Sequence, residues 1–154
     1  MIGLLQRVSE ARVIVDGITI GDISAGLLVF VCAERADTDD LPAKLIDNIL
    51  ALRIFPDHAG KMNRSLSDFA GGLLLVPQFT LAADTRGGTR PSFSAAADSV
   101  RGKALFDEAV RYAAINAVVP VATGRFGADM NVGLINDGPV TIWLRLPATA
   151  AAAL

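Results

Sequence analysis

Leu73-Leu-Leu-Val-Pro-Gln-Phe-Thr-Leu81 joins an apolar run to a proline and then to a polar pair. Leu73 to Val76 reads as an inner strand, because consecutive apolar residues leave no face for water. Pro77 has no N–H to give a sheet ladder, so regular pairing is expected to end or step to an edge there. The amides of Gln78, Phe79 and Thr80 are then free to bind a ligand. From these residues alone, an ordinary strand end and a binding turn both stay open. A second stretch, Asn136-Asp-Gly-Pro-Val-Thr141, contains an X-Pro bond, where a cis peptide costs only about 0.5 to 1 kcal/mol. It reads either as a tight turn that reverses the chain into Val140 to Leu146, or as a cis bond that turns two carbonyls to one side.

The chain has 154 residues, enough for one domain with a sizeable core and no need of staples. Half of it is hydrophobic (52%) against 19% charged, which leaves apolar surface for a second subunit to cover. A net charge of −2 speaks against a broad basic face for long nucleic acids, though not against a local basic rim. The single Cys32 lies in an apolar run and has no disulfide partner, so it reads as a buried thiol in a chain expected in the cytoplasm. No apolar run approaches the length of a membrane span, and the start lacks the features of a secretory signal.

Before the central stretch, Met1 to Val15 is strand-like, and Asp16-Gly17 turns it into Ile18-Thr-Ile20. Arg7 sits among Leu4, Leu5 and Val8, either as an edge residue or as a fork facing a cleft. Leu27 to Ala33 is a buried strand. Thr38 to Asp40 with Pro42 open a helix marked by Leu41, Leu45, Ile49 and Leu52, and the acidic loop from Glu34 to Asp40 reads as capping and solvated. Two short strands flank a turn over Asp57 to Gly60 that holds the only histidine, His58. A lone histidine at a loop tip argues against a Ser/His/Asp triad and against a histidine metal site.

After the central stretch comes a loop of glycine, hydroxyls and two arginines, Arg86 and Arg90, able to contact phosphates or to stand in solvent. It lacks the lysine of a nucleotide P-loop. Asp98 to Ala117 is the long helix, with Leu105, Phe106, Ala109, Tyr112 and Ala113 on one face. Val118 to Thr123 and Asn131 to Ile135 are strand-like, and residues 148–154 form an alanine-rich tail expected to fray. Residues 1–147 form the single domain.

Several stretches together resemble one family. They are Gln6-Arg-Val8, Arg53-Ile-Phe55, Gly60-Lys-Met-Asn63, Gln78-Phe-Thr-Leu-Ala-Ala-Asp-Thr85, Arg90-Pro-Ser-Phe93, Gly124-Arg-Phe-Gly-Ala-Asp-Met130 and Asn136-Asp-Gly-Pro-Val-Thr141. In this order they are similar to the D-aminoacyl-tRNA deacylases, hydrolases that free tRNA from D-amino acids. The resemblance implies a mixed α/β fold, a barrel-like sheet flanked by helices. It also implies a homodimer with its active sites at the interface, acting on D-aminoacyl-tRNA without metal or cofactor.

By the same resemblance, Gln78, Phe79 and Thr80 line the pocket for the 3'-terminal adenosine and its ester. Gly138 and Pro139 are joined by a cis bond and enter the partner's pocket. Arg7 orients their carbonyls, Met130 walls the pocket, and Arg86 and Arg90 are candidates for contacts near the acceptor end. A pocket that grips the α-amino group and leaves no volume for an L side chain screens chirality by rejection, yet it cannot exclude glycine, so glycyl-tRNA is an expected side substrate. The amides of Phe79 and Thr80 are the expected oxyanion donors, with the terminal 2'-hydroxyl of the tRNA helping to activate water. A Thr80 nucleophile is the rival mechanism, but no convincing base accompanies it. One departure is Pro77, where the family usually has serine; it removes a hydroxyl and an amide proton and is expected to reshape the pocket. Two other functions stay in view: a non-catalytic nucleic-acid-binding homodimer, and an esterase of simple D-amino acid esters.

Overall fold

The computed structural model describes residues 1–148. The expected frayed tail therefore lies outside the described residues except for Ala148, which packs on the core. The order of elements is β1 (Ile2–Val15), β2 (Ile18–Ile23), β3 (Gly26–Cys32), α1 (Leu41–Ala51), β4 (Phe55–Pro56), β5 (Met62–Arg64), α2 (Leu66–Phe69), β6 (Gly72–Pro77), a 3-10 turn (Phe79–Ala82), α3 (Ser99–Asn116), β7 (Val121–Thr123) and β8 (Asn131–Arg145). Asp16 and Gly17 both have positive φ (51° and 77°), the backbone that a two-residue hairpin needs to match strand twist.

The main sheet runs β2-β1-β3-β6-β7, with β8 on the other edge of β1. Strand β1 is antiparallel to β2, β3 and β8, whereas β3-β6 and β6-β7 are parallel. The sheet curls until β2 nears β7: a Cβ on Gly21 would stand 2.6 Å from the Thr123 carbonyl oxygen, so glycine is what permits this approach. The result is a mixed α/β fold with an almost closed, barrel-like sheet.

Strand β6 is the centre of this arrangement. Leu73 and Leu75 face α1 and α3, where they meet Leu45, Ile49, Leu105 and Ala109. Leu74 and Val76 point into the barrel with Val8, Val13 and Leu28. Burial on both faces is why its sequence runs continuously apolar instead of alternating. Fully burying each such leucine contributes about 1.5 to 3 kcal/mol.

Two sequence expectations are corrected here. The acidic loop is not simply capping and solvated: Glu34 and Asp37 are buried. Glu34 accepts hydrogen bonds from Arg145 (3.1 and 2.5 Å), and Asp37 accepts from the Glu34 amide (2.7 Å). Asp40 stands at the N-cap of α1 without capping it; its carboxylate instead pairs with Lys44 and takes the Thr38 hydroxyl.

The second correction concerns Asn136 to Pro139, which does not reverse the chain. Both halves of β8 run antiparallel to β1 as one strand. Gln6 faces Thr141 and Val8 faces Asn136, so residues 137–140 bulge out opposite the single residue Arg7. Asn136 closes this excursion: its Oδ1 accepts from the Val140 amide (2.8 Å), and its Nδ2 donates to the Val140 carbonyl (3.2 Å) and Thr141 Oγ1 (3.1 Å). The strand then resumes in its former direction, as after a special bulge with several extra residues.

Candidate active site

Strand β6 keeps its pairing with β3 through Pro77, which faces Val31, and the Gln78 amide donates to the Val31 carbonyl (2.8 Å). The Gln78 amide is therefore not free, contrary to the sequence reading. Odd-numbered positions of β6 bond towards β7 and even-numbered ones towards β3: Leu73 N–H reaches Pro120, and the Leu75 carbonyl takes Gly124 N–H. Pro77 thus sits where its missing N–H would point past the end of β7, which pairs only as far as Leu75. That is why a proline is tolerated in an inner strand.

Beyond Gln78 the backbone tightens into the 3-10 turn. The first amides of such a turn have no partner within it, and among the described residues no acceptor meets Phe79 N–H or Thr80 N–H. Thr80 Oγ1 donates to Gln78 Oε1 (2.7 Å), a carboxamide oxygen with no capacity to act as a base.

Beside the turn opens a cavity of about 540 Å³. Pro77, Gln78, Phe79, Phe126 and Met130 line it, together with Ser99 at the start of α3. Met130 Sδ accepts a weak hydrogen bond from the Arg125 amide (3.4 Å). Phe79 is 56% exposed, with the Phe93 ring edge-on at 5.2 Å. Beneath the turn, Cys32 Sγ donates to the Phe79 carbonyl (3.5 Å); burial, then the nearby Glu34 charge, pushes its thiol up to about 11. At neutral pH it is a protonated, inert group.

A second set of residues lies elsewhere on the chain. Arg7 donates from Nε to the Asp137 carbonyl (2.9 Å) and from Nη1 to the Ile54 carbonyl (2.8 Å), and it pairs with the Asp137 carboxylate at 3.5 Å. The carbonyl it grips is Asp137's, one residue before the Gly138-Pro139 pair. That pair is joined by a cis bond and is exposed. At Gly138 (φ +143°) a Cβ would meet Val140 Cγ2 at 2.7 Å and Arg7 Nη2 at 3.2 Å, so any side chain there collides with the bulge and with its anchor. None of Arg7, Gly138 and Pro139 lines the cavity of its own chain.

The order of motifs, the fold and this turn can be compared with known proteins. A family model described as D-Tyr-tRNA(Tyr) deacylase matches residues 4–145. The chain belongs to the D-Tyr-tRNA(Tyr) deacylase family. A relative in Paracidovorax citrulli, called D-aminoacyl-tRNA deacylase, is 62% identical over 95% of this chain and 94% of its own. One of the same name in Herminiimonas arsenicoxydans is 59% identical over 95% and 97%. A solved structure described as the c-Myc DNA Unwinding Element Binding Protein is 33% identical and superposes with a TM-score of 0.89, covering 96% of this chain and all of that one.

In this family member the sequence-predicted residues separate into three places. Gln78, Phe79 and Met130 share the cavity, with Thr80 next to it; Gly138 and Pro139 form the bulge and Arg7 anchors it; Arg86 and Arg90 stand on the exposed loop that follows the 3-10 turn. Arg86 is held by Asp84 through two side-chain bonds (2.9 and 2.7 Å), which holds the Asp84 carboxyl well below the usual carboxylate range. Arg90 has no ionic partner among the described residues. Sequence reasoning did not single out Phe126, Ser99 or Phe30 as cavity residues. Phe126 lies inside a quoted motif and was within reach; Ser99 and Phe30 come from distant elements and carry no local signal.

Proposed function

We infer that this chain hydrolyses the ester bond of D-aminoacyl-tRNA, releasing tRNA and the D-amino acid. The observation that carries the chemistry is the pair of unpartnered amides, Phe79 and Thr80, beside a cavity in a family member. Water adds to the ester carbonyl carbon, and the carbonyl oxygen, now bearing the charge, takes hydrogen bonds from these two amides. The bond to the ribose oxygen then breaks and that oxygen is protonated. The 2'-hydroxyl of the terminal ribose helps activate the water. Thr80 is not the nucleophile in this reading, since its hydroxyl donates to an amide oxygen that cannot receive its proton.

Gln78 and Met130 contact the terminal adenosine and its ester, and Arg90, with Arg86, meets phosphates near the acceptor end. Glycyl-tRNA is a side substrate because a filter that works by excluding an L side chain has nothing to exclude.

The functional unit is a homodimer in which Gly138-Pro139 of one chain completes the cavity of the other. Three features support this. Gly138 and Pro139 are exposed and do not line the cavity of their own chain; β8 pairs only with β1 among the described residues, leaving a 15-residue edge; and Ile135 and Trp143 on it are 56% and 52% exposed. An open edge of that length invites pairing or cover.

A non-catalytic nucleic-acid-binding homodimer is the second reading, prompted by the name of the 33% identical structure. Single-turnover assays of D-Tyr-tRNA and L-Tyr-tRNA, with a substrate lacking the terminal 2'-hydroxyl, separate the two. Cleavage of the D ester alone, lost with the 2'-deoxy substrate, is expected. Tight binding of duplex DNA with a steep salt dependence and no ester cleavage supports the second reading.

A further inference from the structure

Behind the cavity wall stands a glycine that the chemistry above does not use. Gly124 follows β7 directly, and its N–H donates to the Leu75 carbonyl (2.8 Å), which fixes it against β6. Its φ lies outside the left-handed region, so alanine would meet no backbone penalty there. Space is the constraint. A Cβ on Gly124 would lie 2.8 Å from Met130 Sδ, 3.3 Å from Pro77 Cδ and 3.5 Å from Val76 Cγ1. Pro77 and Val76 are fixed in β6, whereas the Met130 thioether ends a flexible side chain and is the group that must move. Met130, Pro77 and Val76 line the cavity, and Gly124 does not.

We propose that Gly124 is a positioning residue for substrate binding: its missing side chain is the slot that holds the Met130 thioether against Pro77, clear of the cavity. A side chain at position 124 drives the thioether off the Arg125 amide and into the space for the aminoacyl-adenosine end. The inference rests on the reading of that cavity as the substrate site. Because Met130 is not one of the two amide donors assigned to the oxyanion, the effect falls on binding more than on the chemical step.

Deacylation of D-Tyr-tRNA by Gly124→Ala, Met130→Ala and the double variant tests this. Gly124→Ala is expected to raise KM about tenfold with kcat within about twofold. In the Met130→Ala background the same substitution adds no further loss, since the atom it displaces is gone. If Gly124→Ala does not fold, thermal melting of the double variant decides: recovery of a cooperative transition supports the slot, and no recovery overturns it. Equal losses in both backgrounds also overturn it. An altered Met130→Ala beside a wild-type Gly124→Ala overturns the slot alone; wild-type kinetics in both overturn the slot and the cavity reading together.

Discussion

The turn after β6 borders a cavity, while the bulge of β8 is exposed and lines none of it, and different groups hold the two. In the turn, the backbone of an inner strand does the positioning: β6 is buried on both faces, and pairing with β3 carries the chain through Pro77 to Gln78. In the bulge, side chains do it: Asn136 closes the loop and Arg7 anchors it to Ile54. The difference teaches that the chain carries a pocket and a projection that its own fold keeps apart. Substitutions in the turn should therefore act on the backbone donors, and those in the bulge on the anchor.

The sharpest break on the pocket side is Phe79→Pro. The first position of a helical turn accepts proline, but the substitution deletes one of the two amides proposed as oxyanion donors and the Phe79 ring. Single-turnover deacylation is expected to fall about 100- to 1,000-fold, with the fold intact by circular dichroism. On the projection side, Arg7→Ala removes both carbonyl bonds of the anchor, and a loss of about 100-fold is expected from the misplaced bulge. Arg7→Lys should recover only part of it, because one ammonium cannot reproduce the planar fork between two carbonyls.

Much of this was legible in the sequence where a local signal and the tertiary context agreed. Asp16-Gly17, Pro42 in α1 and the apolar run of β6 each announced the element that the structure contains. Asn136 to Pro139 misled because turn residues suit a bulge as well as a reversal, and only the pairing of both flanks with β1 distinguishes them. The Gln78 amide was misjudged for a related reason: proline ends pairing only on the side to which its N–H would point, and that side depends on strand order. Buried Glu34 depends on Arg145, 111 residues away, which no local pattern reveals. For the site, the motifs pointed to the turn and the bulge, whereas the cavity residues Ser99 and Phe30 come from distant elements and carry no local signal.

Smaller effects sharpen the same contrast. Thr80→Ala leaves the backbone donors in place and should change single-turnover rates by less than about threefold; a loss comparable to Phe79→Pro, with binding intact, would make the hydroxyl the nucleophile. Cys32→Ala should leave turnover unchanged. Its thiol pKa is raised from 9.0 to about 11 in the fold, so the folded state holds the proton more tightly. The stability this gives is full below pH 9 and lost as pH rises towards 11. Urea midpoints measured across that window should fall for the wild type, and the Cys32→Ala variant should lack that part of the fall.

The central claim is that the pocket of one chain is completed by the projection of another. Co-expression of Phe79→Pro and Arg7→Ala chains carrying different affinity tags, followed by tandem purification, isolates a mixed dimer. One of its two sites then has an unaltered pocket and an unaltered projection. The account predicts D-Tyr-tRNA deacylation at about half the wild-type rate, as symmetry dictates for one restored site of two, from parents that are each nearly inactive. Activity no greater than that of the parents in the purified mixed dimer would contradict it.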